Sequence, residues 1–216
     1  MLGIPEIAHS LIIIGGKGPC GFDMSKREYS RIIAADSGLD TALSLGIRPD
    51  LVVGDFDSVS NKDLIQQFEC IASPKDKDES DFELALMQID GPYDLIGGGE
   101  GRMDHLLSIF TLFEGYGLPR FWFTKEDVLV GVNSDISINL PIDSTISVFA
   151  LEDALVESEG LLWELGGRRL NHRFMSLSNR NRSQEVRLRT NAPIFVRLEP
   201  EVFAKSQLRW PSLVEI

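Results

Sequence analysis

The chain is poor in cysteine, in long apolar runs and in basic residues. Cys20 and Cys70 are the only cysteines in 216 residues. Two thiols build no disulfide framework, so a reducing, cytoplasmic setting is expected and the thiols read as incidental. No run approaches the roughly 18 apolar residues a membrane-spanning helix needs. The apolar stretch at 11–14 stops at Gly15-Gly16 and follows no basic leader, so a signal peptide is not expected. Lys and Arg number 21 against 33 Asp and Glu, a net charge of −12. A general nucleic-acid binder presents a basic surface, so that role is disfavoured. A small polyanionic substrate stays compatible, provided a metal or a few placed Lys and Arg receive it. Internal repeats and low-complexity runs are also absent.

What the sequence does have is acid in two short clusters: Asp55 and Asp57 in Gly54-Asp55-Phe56-Asp57-Ser58, then Asp78, Glu79, Asp81 and Glu83 in Lys77-Asp78-Glu79-Ser80-Asp81-Phe82-Glu83. Carboxylates this crowded repel one another unless a cation sits among them. Hard divalent cations such as Mg²⁺ take oxygen ligands and are commonly shared between carboxylates and substrate phosphates. The clusters therefore suggest a metal-phosphate site.

The first two-thirds of the chain alternates strand and helix patterns. Buried strands are predicted at 10–14, 31–35, 51–53 and 93–96, and helices at 39–45, 60–68, 80–89 and 104–113. Ser60 is the expected N-cap of the second helix. Phe82, Ala85, Leu86 and Ile89 give the third one apolar face, and Leu106, Leu107, Ile109 and Phe110 serve the fourth. Strands alternating with helices imply a mostly parallel sheet covered on both faces. From about Val128 the pattern becomes strands and turns, at 128–132, 145–150, 161–163, 185–189 and 194–198, as in an antiparallel sandwich or open barrel. The expected fold is an α/β domain over 1–127 followed by a smaller all-β sandwich over 128–216. The basic stretch 168–182 reads as a mobile loop or an exposed hairpin.

In open parallel sheets ligands bind at the carboxyl ends of the strands, and the polar residues collect there. Asp36 follows the second strand, and Asp55 and Asp57 the third. The Gly-rich turn 97–101 and Arg102 follow the strand at 93–96. In an extended backbone Asp55 and Asp57, two apart, would face the same way and suit one metal; the competing reading is a polar turn. For Asp78, Glu79 and Asp81 the competitor is helix capping. The Gly-rich turn would let a phosphate approach backbone N–H groups, Arg102 offers a fork of donors, and Lys77 a point charge. His105 reads as a base, as a donor to a nucleotide, or as an ordinary helix residue.

Together these motifs resemble the thiamine pyrophosphokinase (thiamine diphosphokinase) family. Ala34-Ala35-Asp36-Ser37-Gly38 is similar to its Ala-Asp-Gly-Gly turn, and the run from Gly46-Ile47-Arg48-Pro49 through Val53-Gly54-Asp55-Phe56-Asp57-Ser58 to its most distinctive stretch. The segment Lys77-Asp78-Glu79-Ser80-Asp81-Phe82-Glu83-Leu84-Ala85-Leu86 resembles Lys-Asp-x-Thr-Asp-x-Glu-x-Ala-Leu, and Gly101-Arg102-Met103-Asp104-His105 resembles Gly-Gly-Arg-x-Asp-His. Fainter likenesses follow in Gly160-Leu161-Leu162-Trp163-Glu164-Leu165 and Leu177-Ser178-Asn179. Glu100 and Ser176 stand where the family usually has Gly, and Arg180 where it has Glu.

The resemblance implies a homodimer with active sites at the dimer interface, Mg²⁺ as cofactor, and transfer of a pyrophosphoryl group from ATP to thiamine. It implies that Asp55, Asp57 and Asp81 hold the metal. Lys77 and Arg102 would steady phosphates, while Asp36, Asp104 and His105 would contact the nucleotide or organise the Gly-rich turn. Ser178 and Asn179 would contact thiamine. Asp78 would either support the metal or accept the hydroxyl proton of thiamine. Two further readings are a nucleotide- or thiamine-binding sensor without turnover and a metal-dependent glycosyltransferase built on Asp-x-Asp. The second leaves 77–86 and 101–105 unexplained.

Overall fold

A computed structural model describes residues 9–210, and the chain divides into two compact units between Lys125 and Glu126. The first contains strands β1 (Ser10–Ile13), β2 (Arg31–Ala35), β3 (Leu51–Gly54), β4 (Glu69–Ala72), β5 (Tyr93–Ile96) and β6 (Phe121–Phe123), with helices α1 (Gly38–Ser44), α2 (Asp81–Leu86) and α3 (Met103–Tyr116). Its strands run parallel in the order β6-β5-β1-β2-β3-β4. β1 and β5 are buried along their whole length, which is why their sequences are unbroken apolar or near-apolar runs instead of alternating ones. The order of the strands reverses between β1 and β5. Loops leaving those neighbours must diverge, and a crevice opens at their carboxyl ends.

The helices follow local chemistry. Ser80 caps α2, its hydroxyl accepting from the Glu83 N–H at 3.1 Å, a contact worth about 1 kcal/mol. α2 buries Phe82, Ala85 and Leu86. It ends at Leu86, so Ile89 lies beyond it. α3 is longer than its sequence pattern and buries Ile109 and Phe113 while leaving Leu107 exposed. The expected helix at 60–68 is a 3₁₀ helix at Lys62–Gln67, capped by Asn61 in place of Ser60. The Asn61 side-chain oxygen Oδ1 accepts from the Asp63 N–H, whereas the Ser60 N–H is taken by Asp40. β4 is an exposed edge strand and β6 has only three residues, so neither carries a legible period.

Beneath the sheet lies a polar cluster. Asp94 on β5 is 2% exposed. It accepts from the Tyr29 hydroxyl at 2.7 Å and from Arg27 at 3.4 Å, and Arg27 stacks over Phe121 and Phe123. Burial pushes the Asp94 carboxyl above its ordinary pKa, opposed by the Tyr29 bond and by Arg120, Arg27 and His9.

The second unit holds β7 (Val128–Val132), β8 (Ile136–Asn139), β9 (Thr145–Phe149), β10 (Ala154–Glu159), β11 (Arg168–Leu170), β12 (Ser176–Arg180), β13 (Glu185–Thr190), β14 (Ile194–Leu198), helix α4 (Pro200–Lys205) and β15 (Gln207–Arg209). They form antiparallel sets ordered β12-β9-β14-β7 and β11-β10-β13-β8-β15. Along β13, Val186 and Leu188 are buried between exposed Arg187 and Arg189, the period-two pattern of a half-buried strand. The outward Arg pair faces Glu159 and Glu157 on β10. A one-residue slip would bury these charges, so the pattern fixes the register.

Two expectations fail here. Residues 161–163 are not a strand: Gly160 turns the chain at φ +93°, and Leu161 keeps only an isolated bridge to Asn181. For the basic stretch 168–182 the loop alternative fails, since β11 and β12 lie within it. They are joined by a tight turn closed by the Asn171–Phe174 bridge, as in the hairpin alternative, but pair along their lengths with β10 and β9. Among the described residues no helix is long and apolar enough to cross a membrane.

Candidate active site

Four connections in the α/β unit deliver polar groups to one cleft of about 590 Å³ at the carboxyl ends of the parallel strands. After β2 the chain enters a left-handed turn at Asp36, φ +45°. After β3 comes Gly54 at φ +137°. A Cβ there would lie 3.0 Å from the Asp81 carboxylate and 3.2 Å from the Asp36 Cβ, so only glycine lets these acids approach. Phe56 then takes φ +59° and packs against the core of Ala34, Leu39, Val52 and Val59. Asp55 and Asp57 are therefore not on an extended strand, as their spacing suggested. They flank a tight turn whose apolar tip is anchored inward, and the Asp57 N–H donates to Asp55 Oδ1 at 3.0 Å.

One carboxylate oxygen from each of Asp36, Asp55 and Asp57 lies within 4.8 Å of the others. Asp36 is 8% exposed and its Oδ1 is buried without a hydrogen-bond partner. Burial raises its pKa, opposed by bonds from Ser37 and Ser58, and the nearby charge of Asp81 raises it further. A buried anionic oxygen lacking a donor costs free energy unless a cation meets it. An all-oxygen carboxylate set with such an oxygen fits a hard divalent cation. Positive backbone angles at Asp36, Phe56 and Glu100, each costing on the order of 1–3 kcal/mol, gather at this one place, as strain does at functional sites.

The remaining sequence-derived residues fall into three groups. Lys77 has a largely buried side chain and donates to Ser73 at 2.6 Å and to Asp81 at 2.5 Å. Asp81 thus meets a lysine and stands outside the three-carboxylate group, where Asp36 takes the third position. Arg102 and His105 line the cleft. Arg102 is held by Asp104 through Nε at 3.1 Å and Nη2 at 2.5 Å, and this pairing holds the Asp104 carboxyl below its usual range. Asp104 and the exposed Asp78 are not among the residues lining the cleft.

Sequence reasoning missed Lys75, which contacts Asp57 at 2.9 Å and, with Ser58, lowers its pKa. A lysine in 73–77 has no pattern of its own; only its proximity to the Lys77 motif pointed there. The Gly-rich turn is pinned from below. The Trp122 indole donates to the Gly97 carbonyl at 2.8 Å, and Gly97 at φ +102° would place a Cβ 2.2 Å from the Ile14 carbonyl.

The β unit has a separate pocket of about 260 Å³ lined by Trp163, Arg168, Phe174, Leu177 and Asn179, among others. Trp163 is 61% and Leu177 66% exposed, so Trp163 is not a core aromatic. Asn179 is buried, and its amide is fully used. Its oxygen accepts from the N–H groups of Trp163 (3.2 Å) and Arg180 (2.8 Å), and its nitrogen donates to the Trp163 carbonyl (2.8 Å) and Ser176 (3.2 Å). Ser178 is exposed at φ +54°, its N–H donating to Ser147. Arg180 turns toward Asp143 in a two-bond pair.

Residues 23–116 match the sequence model described as Thiamin pyrophosphokinase, catalytic domain. No curated protein matches the chain. Among solved structures, a thiamin pyrophosphokinase family protein from Enterococcus faecalis is 20% identical with a TM-score of 0.71, covering 89% of this chain and 98% of that one. Thiamine pyrophosphokinase from Bacillus subtilis is 19% identical with a TM-score of 0.72, covering 88% and 98%. The yeast enzyme is 15% identical with a TM-score of 0.66, covering 91% and 87%. The sheet-rich α/β fold is shared at these low identities. With the four motifs, the matched segment identifies the chain as carrying, over residues 23–116, the catalytic domain of the thiamin pyrophosphokinase family.

Proposed function

We propose that this protein is a thiamine diphosphokinase that moves a diphosphate group from ATP to the hydroxyl of thiamine. The observation that carries the reading is the set of Asp36, Asp55 and Asp57, with the unpartnered buried oxygen of Asp36, in a cleft that Lys75, Lys77 and Arg102 also line. Acid to hold a cation and cations to hold phosphates are what an anionic nucleotide requires.

Mg²⁺ held by Asp36, Asp55 and Asp57 would offset charge on the phosphate oxygens. Asp81 stands outside the three-carboxylate group, and its pairing with Lys77 keeps both groups in place. In the reaction the thiamine hydroxyl oxygen bonds to the β-phosphorus, the bond from that phosphorus to the α-phosphate oxygen breaks, AMP leaves, and the hydroxyl proton is lost. Lys75, Lys77 and Arg102 steady the phosphates, with Asp104 fixing the guanidinium of Arg102. Asp36 and His105 line the cleft and would contact the nucleotide, and the hydroxyl proton would pass to solvent, since Asp78 is exposed and stands outside the cleft lining. Positioning and preset charge supply the acceleration.

The pocket at Trp163 is our candidate for thiamine recognition. Exposed Trp163 offers an apolar face to a flat cationic ring, whereas Phe174 is stacked by Arg168. Ser176 and Asn179 line the wall, and Ser178, exposed beside them, is not among the lining residues. The β-sandwich arrangement, the homodimer and a cytoplasmic location belong to the same proposal, and sedimentation of the purified protein reads the dimer.

The test is AMP release from ATP and Mg²⁺ with and without thiamine, with the products identified by mass. Thiamine-dependent AMP together with thiamine diphosphate supports the reading. ATP binding with no AMP favours a sensor, and consumption of a sugar nucleotide favours a glycosyltransferase.

A further inference from the structure

Glu100 on the cleft wall belongs to a charge cluster that the reaction leaves unassigned, whose two lysines stand just outside the lining residues. Glu100 lies just beyond β5 in the Gly-rich turn and forms part of the cleft wall. Its carboxylate is held by Lys17, just beyond β1, and by Lys125 at 3.5 Å, just beyond β6. β6, β5 and β1 are consecutive in the sheet, so three adjacent strand ends deliver these groups to one spot.

We propose that Lys17 and Lys125 form a phosphate subsite which Glu100 occupies in the free protein and which a phosphate group of an incoming nucleotide takes over. This rests on the reading that the cleft receives a polyphosphate.

Three observations carry it. The first is the fixed placement of the backbone: the Lys17 N–H donates to the Gly99 carbonyl at 2.6 Å, and the Gly98 N–H to the Gly15 carbonyl at 2.8 Å. Lys17 and the Gly98-Gly99 pair that precedes Glu100 are therefore anchored at their main chains. The second is the conformation of Glu100, φ +43°, which a non-glycine residue rarely adopts. That angle belongs to a turn in which Glu100 follows three glycines, yet the position carries an acid. The third is the weakness of the hold. Both lysines and Glu100 are 40–60% exposed, and exposed ion pairs add little. They are too weak to be the reason for the turn, which the buried bond from Trp122 already pins. They are strong enough to draw the Glu100 carboxyl below its ordinary pKa, chiefly through Lys17. Two ammonium groups converging on one oxyanion, loosely held, are what a phosphate carrying more charge displaces.

The experiment uses the full-length protein with inorganic tripolyphosphate as probe, at fixed Mg²⁺ and low salt, with dissociation constants from calorimetry. Glu100→Gln is expected to tighten binding about five-fold, the size of one exposed ion pair. Lys17→Gln and Lys125→Gln are each expected to weaken it several-fold. In the triple variant Glu100→Gln/Lys17→Gln/Lys125→Gln the gain from Glu100→Gln disappears. Thermal melts check folding, and Glu100→Gly, which suits the backbone angle, replaces Glu100→Gln should the latter unfold. A gain that persists without the lysines overturns the subsite, because Glu100 then acts only through its general field. Constants unmoved by any variant overturn it too. Shifted constants in a protein that releases no AMP with thiamine keep the subsite and remove the diphosphokinase reading. Thiamine-dependent AMP with unmoved constants does the reverse.

Discussion

In the cleft of the α/β unit the backbone places the charges; in the pocket of the β unit a side chain does. Asp36, Asp55 and Asp57 converge because the chain takes left-handed turns at Asp36 and Phe56, and Asp81 comes close to Asp36 because Gly54 leaves no Cβ between them. The side chains then keep an unmet need, seen in the bare oxygen of Asp36. At the Trp163 pocket the opposite holds. Asn179 meets all of its own hydrogen-bonding needs in fixing the turn, and the exposed aromatics around it carry no charge demand. A cleft with unmet charge is suited to ions and phosphates, and a mixed pocket with an exposed indole and a satisfied frame to a flat organic ring. The contrast predicts that changes in the first place alter chemistry more than stability, and that changes in the second do so only after stability and recognition have been affected.

The largest effect is expected from Asp55→Asn and Asp57→Asn. Each keeps the shape and removes one carboxylate charge, so AMP release should fall by roughly 10²-fold or more. The melting temperature should move little, because Asp57 is exposed and Asp55 only half-buried, and surface substitutions stay within about 0.5 kcal/mol. Near-normal turnover in both variants would remove the metal assignment. Asn179→Ala inverts the pattern. It strands the N–H groups of Trp163 and Arg180 and the Trp163 carbonyl, and should cost about 1–3 kcal/mol in chemical denaturation. A fully stable Asn179→Ala would show that this amide is not the frame. Trp163→Ala should raise the thiamine requirement on the order of ten-fold with ATP dependence little changed; equal shifts for both substrates would break the division of labour. Ser178→Ala, beside the pocket, should raise the thiamine requirement by a smaller factor, and an unchanged requirement would confine recognition to the lining residues.

A pH experiment sharpens the same contrast within the α/β unit. Asp94, like Asp36, is buried with one oxygen lacking a partner, but its neighbours are Tyr29, Arg27, Arg120 and His9 instead of other acids. Its folded pKa is raised. Its contribution to stability is therefore complete below the ordinary carboxylate range and is lost as pH rises through the raised value. Melting from about pH 4 to about pH 7 should show a downward component that Asp94→Asn removes. Added Mg²⁺ should leave that component untouched. An identical slope in Asp94→Asn would exclude it as the source.

The parallel strands and the strand-end acids were legible because buried runs stop abruptly at Asp36, Asp55 and Gly97, and each stop marks the mouth of the sheet. How Asp55 and Asp57 come together was not legible. Spacing suggested an extended strand, whereas the anchoring of Phe56 in the core makes a turn. Lys75, Lys17 and Lys125 left no trace, since a lone lysine gains meaning only from what folds against it. The edge strand β4 is exposed throughout and so lacks the apolar signal that reveals its neighbours. In the β unit Trp163 suggested a buried strand, but Gly160 and Asn179 hold it in a turn with its ring outward.

The central claim is that this cleft transfers an intact diphosphate. Supplying ATP labelled at the β-phosphorus with thiamine and Mg²⁺ tests it most directly. The account predicts label in thiamine diphosphate, unlabelled AMP in equal amount, and neither product from Asp57→Asn. Label recovered in ADP, or thiamine diphosphate formed undiminished by Asp57→Asn, would contradict it.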